Sequence, residues 1–215
     1  MMKNIVIVGA GDLGKELVWL IEDINKVRPT YVILGFLDGD EDKIGKQFYG
    51  YEVLGTEEKL EQLEKKRDAS AVIAIQEGCI RRKIHDEHRL FNHWETIVHP
   101  SAVIANTVKV GRGSVVFPQV TVSVDSVLGD FGLYYIHSTI CNDCKIGDYV
   151  SVMSGAQISE RVEIREGSYL AAGVTVYPNV IIGREVHVGV GAAVSKNQVD
   201  GANVEGVGAR GFFFK

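Results

Sequence analysis

The sequence predicts two joined architectures, a small α/β unit followed by a parallel β-helix. Three observations predict them. An aliphatic residue recurs at every sixth position from Val98 to Val194, a set of small residues and valines follows it four places on, and a G-x-G-x-x-G succeeds an apolar run near the start.

The six-step series runs Val98, Ile104, Val110, Val116, Val122, Leu128, Tyr134, Ile140 and onward to Val194, with Tyr134 its one member that is not Val, Ile or Leu. The companion set includes Ala102, Ser114, Ser126, Gly132, Ser138, Cys144, Ala156, Ser168 and Ala192. A helix repeats near 3.6 residues and a strand near 2, so neither explains a strict six. A hexapeptide repeat is the mark of a parallel β-helix, whose coils bury a core only by stacking on one another. At three short faces per coil, the stretch makes a little over five coils.

Before it, Ile5 to Val8 reads as a strand, Gly9-Ala10-Gly11-Asp12-Leu13-Gly14 as a turn, and Leu17, Leu20, Ile21 and Ile24 as one face of a helix. In that context the turn suits a phosphate, because its backbone N–H groups and the helix dipole point at the anion. Val32 to Leu37 reads as a second strand ending at Asp38, placed to hold a ribose hydroxyl. Thr56 is expected to cap a helix over Glu57 to Lys66, Ala71 to Ile75 to form a third strand, and Ile80 to Phe91 another helix. Three strands make only half of a dinucleotide fold, so a mononucleotide or nucleotide-sugar fits better than NAD. An NAD-dependent isomerase or dehydrogenase is disfavoured on that ground. The predicted domains are residues 1–96 and 97–215, with the regular coils starting at Pro100.

With 46% hydrophobic and 24% charged residues, the composition is that of a soluble globular protein. A formal charge of −5 with no basic block argues against nucleic acid and anionic membranes. No apolar run is long enough to span a membrane, and the start lacks a signal-peptide shape. Three cysteines make no disulfide framework, so a cytoplasmic location is expected.

These halves together resemble the sugar O- and N-acetyltransferases that join a Rossmann-like domain to a left-handed β-helix. The residues that carry the resemblance are Gly9 to Gly14, Gly35-Phe36-Leu37-Asp38, Gly50 to Gly55, Val98 to Ala102, Asp143 to Asp148 and Gly206-Val207-Gly208-Ala209-Arg210. The resemblance implies a homotrimer with clefts between neighbouring rods. It implies an acetyl-CoA donor along the outside of the coils, at Ala172, Gly189, Val190 and Lys196. It also implies a nucleotide-sugar at Gly9, Gly11, Asp12, Leu13, Asp38, Gly39 and Arg81, and no metal.

In such enzymes a histidine opening a His-Asp-Cys or His-Glu-Cys triplet acts as general base, since imidazole titrates near working pH. Here the triplet reads Asn142-Asp143-Cys144. Asn142 and Asp143 therefore mark the catalytic position without a base. Tyr135, Ser151 and Glu160 also stand where the family carries Asn, His and Gly, and Gln76-Glu77 replaces Gly-Asn or Gly-Asp. His137 is the nearest replacement base, but it belongs to the adjacent face and would reach a catalytic cleft only in a neighbouring subunit. The expected function is acetyl transfer to a sugar or nucleotide-linked sugar in surface-glycan synthesis. The competing reading is a degenerate relative that binds a nucleotide-sugar or a partner enzyme without transferring acetyl.

Other features carry structural expectations. Cys141 and Cys144 spell C-x-x-C, yet only Cys144 belongs to the inward set, so the thiols should diverge. His85, His88 and His93 read as surface, and His99 as structural or acceptor-facing. His187 reads as surface, with a CoA contact as the alternative. Gly111, Gly129, Gly147, Gly183 and Gly189 share one place in the repeat and read as corner glycines. Phe117, Tyr177 and the apolar ending Gly211 to Lys215 are expected to seek neighbours.

Overall fold

The computed structural model of the protein describes residues 2–66 and 68–206. The expectations for Val207 to Arg210 and for the apolar ending lie outside the described residues.

The first unit is built from β1 (Lys3–Val8), α1 (Asp12–Val27), β2 (Tyr31–Leu37), β3 (Gln47–Phe48), β4 (Tyr51–Gly55), α2 (Lys59–Lys66), β5 (Ser70–Ile73) and α3 (Gly78–Glu87). Its sheet runs β3-β4-β2-β1-β5 and is parallel except for the β3–β4 pair. Ile5 to Val8 are fully buried, as befits a central strand covered on both faces. Leu17, Leu20, Ile21 and Ile24 form the buried stripe of α1. Five strands stand where the pattern predicted three. The two extra ones form a hairpin whose tip, Tyr49 and Gly50, has positive φ at both residues (50° and 86°), the backbone such a tight turn demands. Helix α2 starts at Lys59 instead of Glu57, and Thr56 contributes its main-chain carbonyl to Lys59 N–H. Helix α3 ends three to four residues before Phe91, which turns in to pack edge-on against Trp94.

From Ile97 the chain winds as a parallel β-helix of two-residue strands. The first face holds seven strands, from Ile97–Val98 to Asn203–Val204, the second six, from Val103–Ile104 to Ala193–Val194, and the third five, from Lys109–Val110 to Ile181–Ile182. Partners lie eighteen residues apart, as in Thr121 with Thr139, until the last coil, where His187 pairs with Asn203 only sixteen residues on. The six-step residues point inward and are nearly all buried from Val116 onward. Tyr134 fits because Gly132 lies beside it: a Cβ on Gly132 would come within 2.5 Å of its hydroxyl. Three interior serines satisfy themselves across coils, while the buried Ser138 hydroxyl has no partner. Ser126 Oγ donates to Cys141 O and accepts from Cys144 N–H, and Ser114 and Ser168 repeat the pattern.

From Gln119 to Gly191 each turn between faces places its second residue in the left-handed region, as at Gln119 (φ 60°), His137 (61°), Asp143 (60°) and Asn179 (63°). These corners are not where the predicted corner glycines sit. Gly111, Gly129, Gly147 and Gly183 lie two residues earlier, where a Cβ would meet the next coil within 2.3–2.7 Å. They are glycines because coils stack closely there. Phe117 also departs from expectation, being fully buried with its ring 4.3 Å from that of Tyr135, whereas Tyr177 is half exposed as predicted. No helix among the described residues is long and apolar enough to cross a membrane.

Candidate functional site

The glycine turn opens into a cavity of about 340 Å³ lined by Gly9, Gly11, Asp12, Leu13, Asp38, Lys43 and the segment Ala74–Glu77. Its glycines divide by role. A Cβ on Gly9 would lie 2.8 Å from Ala74 O and one on Gly14 2.3 Å from Gly9 O, so both are demanded by packing. A Cβ on Gly11 would meet nothing, so this glycine leaves open space at the N-cap of α1. That is the place where a phosphate profits from the helix N-terminus.

Asp38 is held by the loop it borders. Its Oδ2 accepts from Ala10 N–H at 2.8 Å and from Lys43 Nζ at 2.9 Å, and its Oδ1 accepts from Asp40 N–H at 3.0 Å. Burial pushes its pKa up, but these hydrogen bonds prevail and keep it below the ordinary carboxylate range. Lys43, Gln76 and Glu77 line the cavity without having been singled out for it. Gln76 and Glu77 were legible only as a departure from a family pattern, and Lys43 carried no signal. Gly39 falls in a neighbouring cavity with Glu41, Glu57, Glu58 and His88.

Arg81 lies apart from the open cavity, at the junction of the two units. It is 2% exposed. Its guanidinium donates to the carbonyls of Ile75, Gln76, Phe131, Tyr149 and Val150 and to Ser151 Oγ, which itself donates to Gln76 O at 2.7 Å. Burial lowers its pKa to about 10, leaving it charged at neutral pH. Ser151 is spent in the same junction and is 1% exposed. His85 was expected on the surface but is half-buried here, its Nδ1 2.6 Å from Tyr149 Oη and its ring 4.4 Å from Phe131. Burial, then the charge of Arg112, depresses its pKa.

Asn142 and Asp143 form the corner between the second and third faces, and Asn142 Nδ2 donates to Asp143 Oδ2 at 2.6 Å. The acid therefore orients the Asn142 amide. His137 is on the preceding corner, between the first and second faces, and within one chain the fold does not bring it to Asn142. Cys144 is buried and its thiol bonds Ser159 O, while Cys141 is only partly covered, and no disulfide joins them. Burial raises both thiol pKa values, so neither is a thiolate near neutrality. Among the described residues no group of His, Cys, Asp and Glu could hold a metal.

Three of the predicted cofactor residues, Ala172, Gly189 and Val190, share one late edge of the coil. Ala172 and Val190 stack in one ladder, with Gly191 N–H donating to Ala172 O, and both are exposed. Gly189 precedes Val190, and Lys196 is exposed on the next corner. A larger groove, about 620 Å³, runs along the third face between Lys145, Arg165, Arg184 and their acidic neighbours. None of the predicted residues lines it.

Residues 4–88 match the family model of the PglD N-terminal domain. Over 177 residues the chain is 32% identical to GDP-perosamine N-acetyltransferase of Escherichia coli O157:H7, covering 81% of this chain and 78% of that one. The fold matches a solved histidine-to-asparagine variant of perosamine N-acetyltransferase from Caulobacter crescentus, in complex with CoA and GDP-perosamine. The TM-score is 0.84 at 26% identity, covering 98% of this chain and 97% of that one. It also matches the acetyltransferase domain of PglB from Neisseria gonorrhoeae FA1090, in complex with acetyl coenzyme A. There the TM-score is 0.85 at 26% identity, covering 96% and 97%. With a Rossmann-like unit, a parallel β-helix and a relative of this similarity along four fifths of its length, the chain belongs to the nucleotide-amino-sugar N-acetyltransferase family.

Proposed function

We propose that the chain transfers acetyl from acetyl-CoA to the amino group of a nucleotide-linked sugar destined for a surface glycan. The observation that carries this is the pairing of an open glycine-turn cavity with exposed β-helix corners, in a sequence similar to GDP-perosamine N-acetyltransferase over 81% of the chain. The nucleotide's diphosphate lies at Gly11 to Leu13, with Lys43 as its cation and Asp38 placing the loop. Acetyl-CoA lies along Ala172, Gly189, Val190 and Lys196. Residues 1–96 serve the acceptor and 97–215 the donor. A homotrimer, working in the cytoplasm where both substrates are made, brings the Asn142 corner of one subunit to the acceptor of another, with His137 at the same seam.

The chemistry can proceed without a histidine at 142. The amine nitrogen attacks the thioester carbonyl, the C–S bond breaks, and the proton shed by nitrogen ends on the departing sulfur as CoA thiol. Asn142, steadied by Asp143, orients the acceptor, and holding the reactants together lowers the barrier by up to about 7–11 kcal/mol. The Caulobacter variant, which carries asparagine in place of a histidine, is in complex with CoA and GDP-perosamine, which supports ligand binding without that imidazole.

A second reading, binding without transfer, is favoured by one observation: at positions the family uses in its site, Ser151 is buried in the domain junction and Tyr135 is buried beside Phe117. Titration calorimetry with acetyl-CoA, with release of free thiol in the presence of GDP-perosamine, separates the two. Saturable donor binding with thiol release supports transfer. Sugar-nucleotide binding with no donor binding at millimolar acetyl-CoA leaves the second reading, and binding of neither ligand removes both.

A further inference from the structure

The glycine-turn cavity has a neighbour, and Glu77 lines both. The second cavity, about 490 Å³, lies between the start of α3 and the first face of the coil. Its coil wall is Tyr169 and His187, which sit on adjacent strands in register with their rings stacked 5.0 Å apart and 8° from parallel. The rungs before them on this face, Val115, Leu133 and Ser151, are buried at 1–2% exposure under the first unit. The aromatic pair begins one coil beyond the Arg81–Ser151 junction, where that cover ends.

Nothing in the fold requires these two rings. The inward residues of their rungs, Leu170 and Val188, fill the core, while Tyr169 and His187 project outward. The cavity's acidic groups are Glu77 and Glu185, of which Glu185 already accepts from Arg82 Nη1 at 3.0 Å. The Glu77 carboxylate repels a phosphate and attracts an amine, and a stacked aromatic shelf offers an apolar face with affinity for a cation.

We propose that this shelf is the subsite for the sugar ring of the acceptor. The diphosphate stays at the glycine turn, and the C–H face of an amino-hexose lies on Tyr169 and His187 with its amino group on the side of Glu77. This rests on the nucleotide-amino-sugar reading above and adds where the sugar goes. Tyr169 and His187 are positioning residues in this account.

The test is titration of the full chain with GDP-perosamine and with GDP, and with a UDP-linked amino-hexose and UDP as a second pair. Tyr169→Ala and His187→Ala are expected to weaken the sugar-nucleotide by roughly tenfold each while leaving the bare nucleotide unchanged. Tyr169→Phe, which keeps the ring, should keep the affinity. Unchanged melting temperatures in all three variants would show that the loss is local. Variants that bind the sugar-nucleotide as wild type does, or lose both ligands equally, overturn the subsite. A wild type that binds the sugar-nucleotide no tighter than the nucleotide does the same and leaves the parent reading standing. Binding of neither pair overturns the parent reading and the subsite with it.

Discussion

At the scale of single residues, the two halves of the glycine motif separate cleanly. Gly14→Ala drives a methyl into Gly9 O and should cost about 2–3 kcal/mol in urea unfolding. Gly11→Ala meets no protein atom and should cost at most about 1 kcal/mol as a poorer cap, yet it should weaken nucleotide binding severalfold in calorimetry. Equal loss of stability in both variants would refute the division. Tyr134 offers a test of the core. Its hydroxyl is fully buried without a partner, so Tyr134→Phe should stabilise the chain by about 1 kcal/mol. At the corner, Asn142→His should raise acetyl transfer only if the site lacks another route for the proton. An unchanged rate against pH would point to a mechanism that needs no base there. The asparagine was legible in the sequence as a missing imidazole. Its bond to Asp143 followed only from the left-handed corner that turns the acid back toward it.

At the scale of elements, the six-residue repeat predicted the inward rows because each rung has one interior position and no alternative. What it could not reveal was why Gly111, Gly129, Gly147 and Gly183 recur, since their constraint comes from the coil above. The β3–β4 hairpin was missed for a related reason. Gln47–Phe48 is too short to show alternation and exists only through its pairing with Tyr51–Glu52. Arg81 is the sharpest case. Its partners on the coil lie 50 to 70 residues ahead, so a charged residue on a polar helix gave no hint of burial. Replacing it with Met leaves several carbonyls without donors and should cost at least about 3 kcal/mol, whereas Ser151→Ala should cost about 1–2 kcal/mol. Comparable small losses in denaturant titrations would show that water repairs the junction.

At the scale of the whole molecule, the two units are held by a polar staple and an aromatic cluster, and the latter contains His85. Its folded pKa is depressed by burial and by Arg112, while Asp86 and Asp130 oppose the shift. Protonation is therefore harder in the folded state than in the unfolded one, where the pKa is about 6.5. The contribution of His85 is complete above that pH and is lost as pH falls through the lower folded value. The melting temperature should drop between pH 7 and 5, and His85→Gln should flatten the drop; an equal drop in both proteins would assign it elsewhere. The eighteen-residue register has a consequence for how such a chain can change. Inserting or deleting one whole coil slides everything beyond it along the rod by about 4.8 Å and keeps its compass bearing. A single hexapeptide would instead turn all later residues by a third of a revolution, sending Ala172 and Val190 to a different side of the rod from His137. Length can thus vary along this scaffold in steps of a coil, and the distance between two residues on one edge is adjustable only in those quanta.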